Sequence, residues 1–183
     1  MRSEIQPRLI PDGQRAITSV EPLDFDRVFR DYAGYVAAIG LKIMGRDDDL
    51  DDLVQEVFIE AHRSLGRLRE HGALKSWLAR ITVRRTIRKL RRRRALMLFG
   101  LEAPSDYAEI AEMSASPDER AQVALAYQSL ERLPAADRVV WVLRHVEGES
   151  LDDIAKMCDC SKLTVQRRLR SAQKALEQRT RHV

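Results

Sequence analysis

Apolar residues that recur at steps of three and four, segment after segment, restrict this chain to helices. Phe25, Val28, Phe29, Tyr32, Tyr35, Val36, Ile39 and Ile43 form one such stripe, ending near Gly45. Leu50, Leu53, Val54, Val57, Phe58, Ala61 and Leu65 form a second. A third opens with Leu74, Trp77, Leu78 and Ile81 and continues through Val83, Ile87 and Leu90, but its apolar face drifts. That drift suggests a helix whose C-terminal half leaves the core and presents a cationic surface. Val123, Ala126, Tyr127, Leu130 and Leu133 follow a helix start at Ser116-Pro117-Asp118-Glu119; Pro134 interrupts them, and Val139, Val142, Leu143 and Val146 lead on to Gly148. With no repeat and no strand-like alternation, the sequence predicts an all-α fold.

Two stretches break the period. Residues 1–22 hold Pro7, Pro11, Gly13 and Pro22 and read as a flexible leader; residues 96–118 hold Gly100, Pro104, Ser105, Ser114, Ser116 and Pro117 and read as a flexible linker. The expected architecture is two small helical domains, 23–95 and 119–183, each of roughly 55 to 75 residues.

Charge then separates the first domain into unlike surfaces. Between Asp47 and Glu60 stand Asp47, Asp48, Asp49, Asp51, Asp52, Glu56 and Glu60 with no Lys or Arg. Between Lys75 and Arg94 stand Lys75, Arg80, Arg84, Arg85, Arg88, Lys89 and Arg91 to Arg94 with no Asp or Glu. Part of the acidity suits a helix N-terminus, at about 0.3 to 1 kcal/mol per group. The remainder implies a basic partner for one surface and a polyanion, nucleic acid foremost, for the other. A net charge of +4 hides this reversal.

A hydrophobic share of 44% supports packed cores, and the 33% charged share suits helical domains with broad solvated faces. No apolar run approaches the roughly 18 to 20 residues of a membrane span, and the N-terminus lacks an apolar signal core, so a soluble cytoplasmic protein is expected. Cys158 and Cys160 are the only cysteines, too few for a disulfide framework or a four-cysteine zinc site. They read as a helix residue and a small pocket filler. His62, His71, His145 and His182 are scattered, with no nucleophile or metal-ligand spacing, so neither enzyme activity nor a cofactor is expected.

The C-terminal segment holds a helix-turn-helix pattern. Ser150 caps a short helix bearing Leu151, Asp152, Asp153, Ile154 and Ala155; Cys158 to Ser161 make a turn; Ser161 caps a longer helix with Val165, Leu169, Ala172 and Leu176 inside. Asp159 stands at the turn position where Gly is common, and Asp tolerates left-handed backbone better than most residues. Outside lie Lys162, Thr164, Gln166, Arg167, Arg170 and Lys174, which mix cations for phosphates with groups able to read base edges.

Taken together these blocks resemble the extracytoplasmic-function (ECF) group of bacterial RNA polymerase sigma factors, in the sigma-70 family, over about residues 23 to 180. The matching residues are Phe25 to Val36, Asp52 to Phe58, Ser76-Trp77-Leu78, Arg80-Ile81 and Leu90-Arg91-Arg92 in the first domain. In the second they are Leu130, Leu133-Pro134, Arg138-Val139-Val140, Gly148, Ser150-Leu151, Ile154-Ala155, Thr164-Val165 and Arg168-Leu169. The resemblance implies that the acidic helix docks on the clamp coiled coil of core RNA polymerase through Asp52, Gln55 and Glu56, with Leu53 and Phe58 holding it in place, and that the polymerase flap is a further contact. It implies that Arg69, His71, Lys75, Trp77, Arg80, Arg84, Arg85 and Arg88 serve −10 recognition and melting, Trp77 itself being mainly a core residue. Lys162, Thr164, Gln166, Arg167 and Arg170 become the −35 readers, with Arg138 and Arg144 as phosphate contacts. Promoter DNA, double-stranded and melted, and an anti-sigma factor are the remaining implied partners. Two positions depart from the family: Arg84 and Arg88 stand where its members often have Asn and Asp, which predicts stronger phosphate attraction and steeper salt dependence. Rival readings are a conventional dimeric DNA-binding regulator and a polymerase-binding decoy.

Overall fold

The computed structural model describes residues 24–46, 48–67, 73–102, 107 and 116–180, and those residues form helices, turns and no strand. The first three helices are α1 (Phe25–Met44), α2 (Leu50–Ser64), followed by a 3-10 turn over Leu65–Arg67, and α3 (Leu74–Leu98). The last four are α4 (Pro117–Glu131), α5 (Ala135–His145), α6 (Leu151–Met157) and α7 (Lys162–Thr180).

Local chemistry sets most of these boundaries. Asp24 accepts the Asp26 N–H at 3.1 Å to start α1, and Gly45, at φ 68°, donates to the Leu41 carbonyl at 2.7 Å to end it. Ser116 and Glu119 form a reciprocal capping box at the start of α4, with Pro117 as its first residue. Pro134 separates α4 from α5. Two boundaries differ from expectation. Asp48 and Asp49 lie in a turn before α2 rather than inside it, and Asp47 lies outside the described residues. Helix α3 runs through Leu98, three residues into the expected linker, because Ala95-Leu96-Met97-Leu98 are strong helix formers and the first stop is Gly100 at φ 67°.

Two apolar cores result. One is confined to the first three helices: Val28, Val36, Met44, Leu53, Val57, Phe58, Ala61, Leu74, Leu78 and Ile81, with Trp77 packed at its margin. The other crosses the chain. Ile39 and Ile43 from α1 and Ala79 and Val83 from α3 pack with Leu130, Val139, Val140, Val142, Leu143, Ile154, Met157, Val165 and Ala172 from the last four helices. The drift in α3 is therefore explained differently from the sequence reading. Ala79, Val83, Ile87 and Leu90 form a second apolar face that enters this shared core, while Arg84, Arg88, Arg91 and Arg92 remain exposed away from it. Helix α4 packs mainly by its last turn: Leu130 is buried, whereas Ala126 is exposed.

Arg138 corrects another expectation. Only 3% exposed, it donates from Nε to the Ile43 carbonyl at 2.8 Å and from Nη2 to the Met44 carbonyl at 2.5 Å, so it is a packing residue and not a phosphate contact. A guanidinium with five N–H groups can occupy two adjacent helix-end acceptors at once, which a lysine cannot match.

Candidate functional site

Helices α2 and α3 lie side by side, so their opposite charges partly face each other. Arg85 donates to Glu60 Oε2 at 2.7 Å and to Glu56 Oε2 at 3.2 Å; Arg84 also pairs with Glu60. Lys89 reaches Glu56 at 3.4 Å and Asp49 at 4.0 Å. The half of the charge reversal formed by Glu56, Glu60, Arg84, Arg85 and Lys89 thus cross-links the two helices, which the sequence reading missed. Such solvent-screened pairs are worth about 0 to 1 kcal/mol each, so they align the helices more than they stabilise them. What stays open is a narrower acidic face of Asp51, Asp52 and Gln55, all exposed, seated on buried Leu53 and Phe58.

Beside that face lies an apolar cleft of about 500 Å³ between α1 and α2. Phe25, Phe29, Val54, Phe58, Ile59 and His62 line it, with Asp51 and Arg63 at its edge. Phe29 and Ile59 are 42% and 44% exposed, while Phe25 meets the His62 ring edge-on at 4.8 Å. Large apolar side chains left open next to charge mark an interaction surface. Ile59 stands off the buried stripe of α2, and that misplacement was the signal for it in the sequence.

On α3 the expected nucleic-acid residues divide. Lys75, Arg80, Arg84 and Arg88 are exposed, Arg85 is half-buried in the ion-pair network, and Trp77 is half-buried against the first core. Arg69 and His71 lie outside the described residues. The Lys75 ammonium sits 4.9 Å from the centre of the Tyr35 ring. Arg80, Arg88, Arg91 and Arg92 are exposed and make no ion pair among the described residues, leaving a cationic strip. On the opposite side Thr82 and Thr86 are fully buried and donate back to the Leu78 and Thr82 carbonyls at 2.8 and 2.9 Å, so neither hydroxyl is left without an acceptor.

The C-terminal pattern folds as expected. Ser150 Oγ accepts the Asp153 N–H at 3.1 Å, Ser161 Oγ accepts the Thr164 N–H at 3.2 Å, and Asp159 takes φ 50° in the turn between α6 and α7. The Ser150 hydroxyl, then Lys156, hold the exposed Asp153 carboxyl below its usual range. Val165 and Ala172 are buried, and Gln166, Arg167, Arg170 and Lys174 are exposed. Two of the candidate readers are engaged internally: Lys162 with Asp152 at 2.9 Å, and the Thr164 hydroxyl 3.0 Å from that of Ser161. Arg144 is exposed, its Nη1 donating to the Glu149 carbonyl at 2.9 Å. Leu163, 69% exposed, belongs to the same outer face and was not singled out in the sequence; apolar contact with a thymine methyl suits such a residue.

Burial pushes the Cys158 thiol up to about 12, with Cys160 as a lesser cause, so it is neither a nucleophile nor a ready ligand at neutral pH. Cys160 packs against the shared core and accepts a long contact from Arg168 Nη1 at 3.7 Å. Among the described residues no three His, Cys, Asp or Glu side chains are grouped to hold a metal, and no helix is long and apolar enough to cross a membrane.

The chain is similar to known proteins. Residues 28–96 match the Sigma-70 region 2 family and residues 124–176 the Sigma-70 region 4 family. The chain is 31% identical over 153 residues to the ECF RNA polymerase sigma factor SigM of Mycobacterium tuberculosis, an alignment covering 83% of this chain and 74% of SigM. Among solved structures it is similar to the sigma factor RpoE in complex with the anti-sigma factor NepR from Bartonella quintana. The TM-score is 0.59 and the identity 21%, over 85% of this chain and 95% of that one. It is also similar to CnrH in complex with the cytosolic domain of CnrY, with a TM-score of 0.55 and 26% identity over 86% and 88% of the two chains. With an acidic face on α2, a cationic strip on α3 and a helix-turn-helix in the last two helices, the chain belongs to the ECF group of the sigma-70 family, the RNA polymerase subunits that direct promoter recognition.

Proposed function

We propose that residues 23–95 dock on core RNA polymerase and handle the −10 element, that residues 119–183 read the −35 element, and that residues 96–118 link the two. The carrying observation is that three chemically distinct open faces occur on one short chain: Asp51, Asp52 and Gln55 on α2, the Arg80 to Arg92 strip on α3, and Gln166, Arg167 and Arg170 on α7. Asp52 and Gln55 make the first contacts with the clamp coiled coil, and the flap is a further polymerase contact. Glu56 positions Arg85 and Lys89 as well as facing the partner.

The cationic strip holds the displaced strand while the α3 N-terminal end, with Lys75 and Trp77 and the connection containing Arg69 and His71, accepts an unstacked base. Melting costs a few kcal/mol per base, so both holding and capture are required. Two modest DNA contacts on one tether raise each other's effective concentration, which makes tight binding by either half unnecessary. An anti-sigma factor, the kind of partner named for RpoE, would act by covering these faces, and the action of this chain is cytoplasmic.

The test is run-off transcription with purified core polymerase and DNA upstream of the chain's own gene and its candidate targets. Discrete transcripts that require this chain support the reading; none on any promoter overturns it. Asp52→Lys should abolish core binding in the same assay while leaving helix content unchanged.

A further inference from the structure

A second cavity, of about 500 Å³, lies where the last turns of α3 meet the end of α4 and the turn after α1. That size falls within the roughly 300 to 1,000 Å³ of small-molecule sites. Among the described residues its lining holds six cations, Arg46, Lys89, Arg93, Arg94, Arg132 and Arg138, against two carboxylates, Asp49 and Glu131. Its apolar part is formed by Met44, Leu90, Met97 and Leu133.

The cations differ in how far the protein already satisfies them. Arg138 is committed to the Ile43 and Met44 carbonyls. Arg93 meets Glu102 at 2.9 Å and Glu131 at 3.9 Å, and Lys89 meets Glu56 at 3.4 Å and Asp49 at 4.0 Å. Arg46 pairs with Asp48 and reaches Glu102 at 3.6 Å, yet its Nε is buried with no hydrogen-bond partner among the described residues. Arg94 and Arg132 are exposed and have no ion pair among the described residues. The uncommitted charge is thus carried by one arginine of α3 and one at the end of α4, with the Arg46 Nε–H as a further donor.

A phosphate chain accepts from several guanidinium groups at once, so Arg94 and Arg132 can grip one ligand from two elements. A bare phosphate ion leaves the apolar part of so large a cavity unfilled. A ring fits that part, and Gln128, in the same lining, offers an amide that can donate to or accept from a base edge.

We propose that this cavity binds a nucleoside diphosphate, its phosphates between Arg94 and Arg132 and its base against the methionine and leucine side chains. The site is distinct from the outward strip of α3, because Arg132 lies at the end of α4, and it does not depend on the promoter reading. A ligand held by both halves also stabilises the core they share, by mass action.

The test is equilibrium dialysis of the full chain at physiological salt with radiolabelled ADP and GDP, and with pyrophosphate and adenosine as their separated parts. At least one nucleotide should bind, about tenfold more tightly than pyrophosphate or adenosine, and raise the thermal unfolding midpoint. Arg94→Ala and Arg132→Ala should each weaken that binding about tenfold, the loss of a charge-assisted contact. Both side chains are exposed, so helix content by circular dichroism should be unchanged. Arg30→Ala, which removes the same charge from the exposed surface of α1, should leave the affinity as it was. No binding of either nucleotide overturns the site. Pyrophosphate binding as tightly as the nucleotide also overturns it, because charge alone is then the attraction. Unchanged affinity in Arg132→Ala does the same, since the nucleotide is then held elsewhere.

Discussion

Arg84 and Arg88 are equivalent departures in the sequence and unlike residues in the structure. Arg84 pairs with Glu60, whereas Arg88 is exposed and has no ion pair among the described residues. A cation already neutralised inside the protein releases fewer counterions on meeting a phosphate. Arg88→Ala should therefore lower the slope of log affinity against log salt, for promoter binding by holoenzyme, by about 0.7 to 0.9, and Arg84→Ala by less. An unchanged slope for Arg88→Ala removes it from the DNA contact. Cys158 makes a different residue-scale prediction. Its folded pKa is raised, so it contributes stability that is fully present below the unfolded value of about 9 and is lost as pH rises toward about 12. Over that window Cys158→Ala should flatten the alkaline loss of stability seen in urea titrations, whereas the same loss in both proteins would assign it to other groups.

At the scale of the element, α7 shows why some function was legible and some was not. Its inner stripe and its Ser161 cap follow from spacing and side-chain chemistry, so both could be read directly. Its outer face is a finer matter: Leu163, Gln166, Arg167 and Arg170 stand at i, i+3, i+4 and i+7 and are all exposed, while Lys162 and Thr164 have partners within the motif. A sequence lists polar residues on a face; it does not say which are already hydrogen-bonded. Gln166→Ala should therefore remove about 1 to 3 kcal/mol of discrimination at one −35 base pair, measured by competition among single-substituted sites. Lys174→Ala should weaken all sites alike and reduce the salt slope. Uniform weakening by Gln166→Ala would make it a positioning contact instead. The same limit explains α2 and α3, where charge segregation was visible but the pairing of Glu56 and Glu60 with Arg84, Arg85 and Lys89 required knowing that the helices lie side by side.

For the whole molecule, helical period reports which face of a segment is apolar and is silent about what covers it. That is why the all-α class and the individual stripes were legible, yet the burial of Ile39, Ile43, Ala79 and Val83 against α5, α6 and α7 was not. Arg138 carries the same lesson, since a lone arginine on a helix reads as a solvated cation until its two carbonyl acceptors are found in the other half. A core shared between the halves has a thermodynamic consequence: neither can lose its packing without exposing part of the other, so unfolding should be a single cooperative step. The chain supplies its own reporters, Trp77 packed at the first core and Trp141 against the shared one. In urea titrations followed by tryptophan fluorescence, Trp77→Phe and Trp141→Phe should each retain a transition from the remaining indole, coincident with helix loss by circular dichroism in the same variant. Adding Val83→Ala to each should lower both midpoints together, because the methyl groups it deletes lie in the shared core of a fully buried site. If the Trp77 signal and the Trp141 signal each part from the helix signal of the same variant, or if Val83→Ala moves only the Trp77 transition, the halves unfold independently and the shared core contributes little to either.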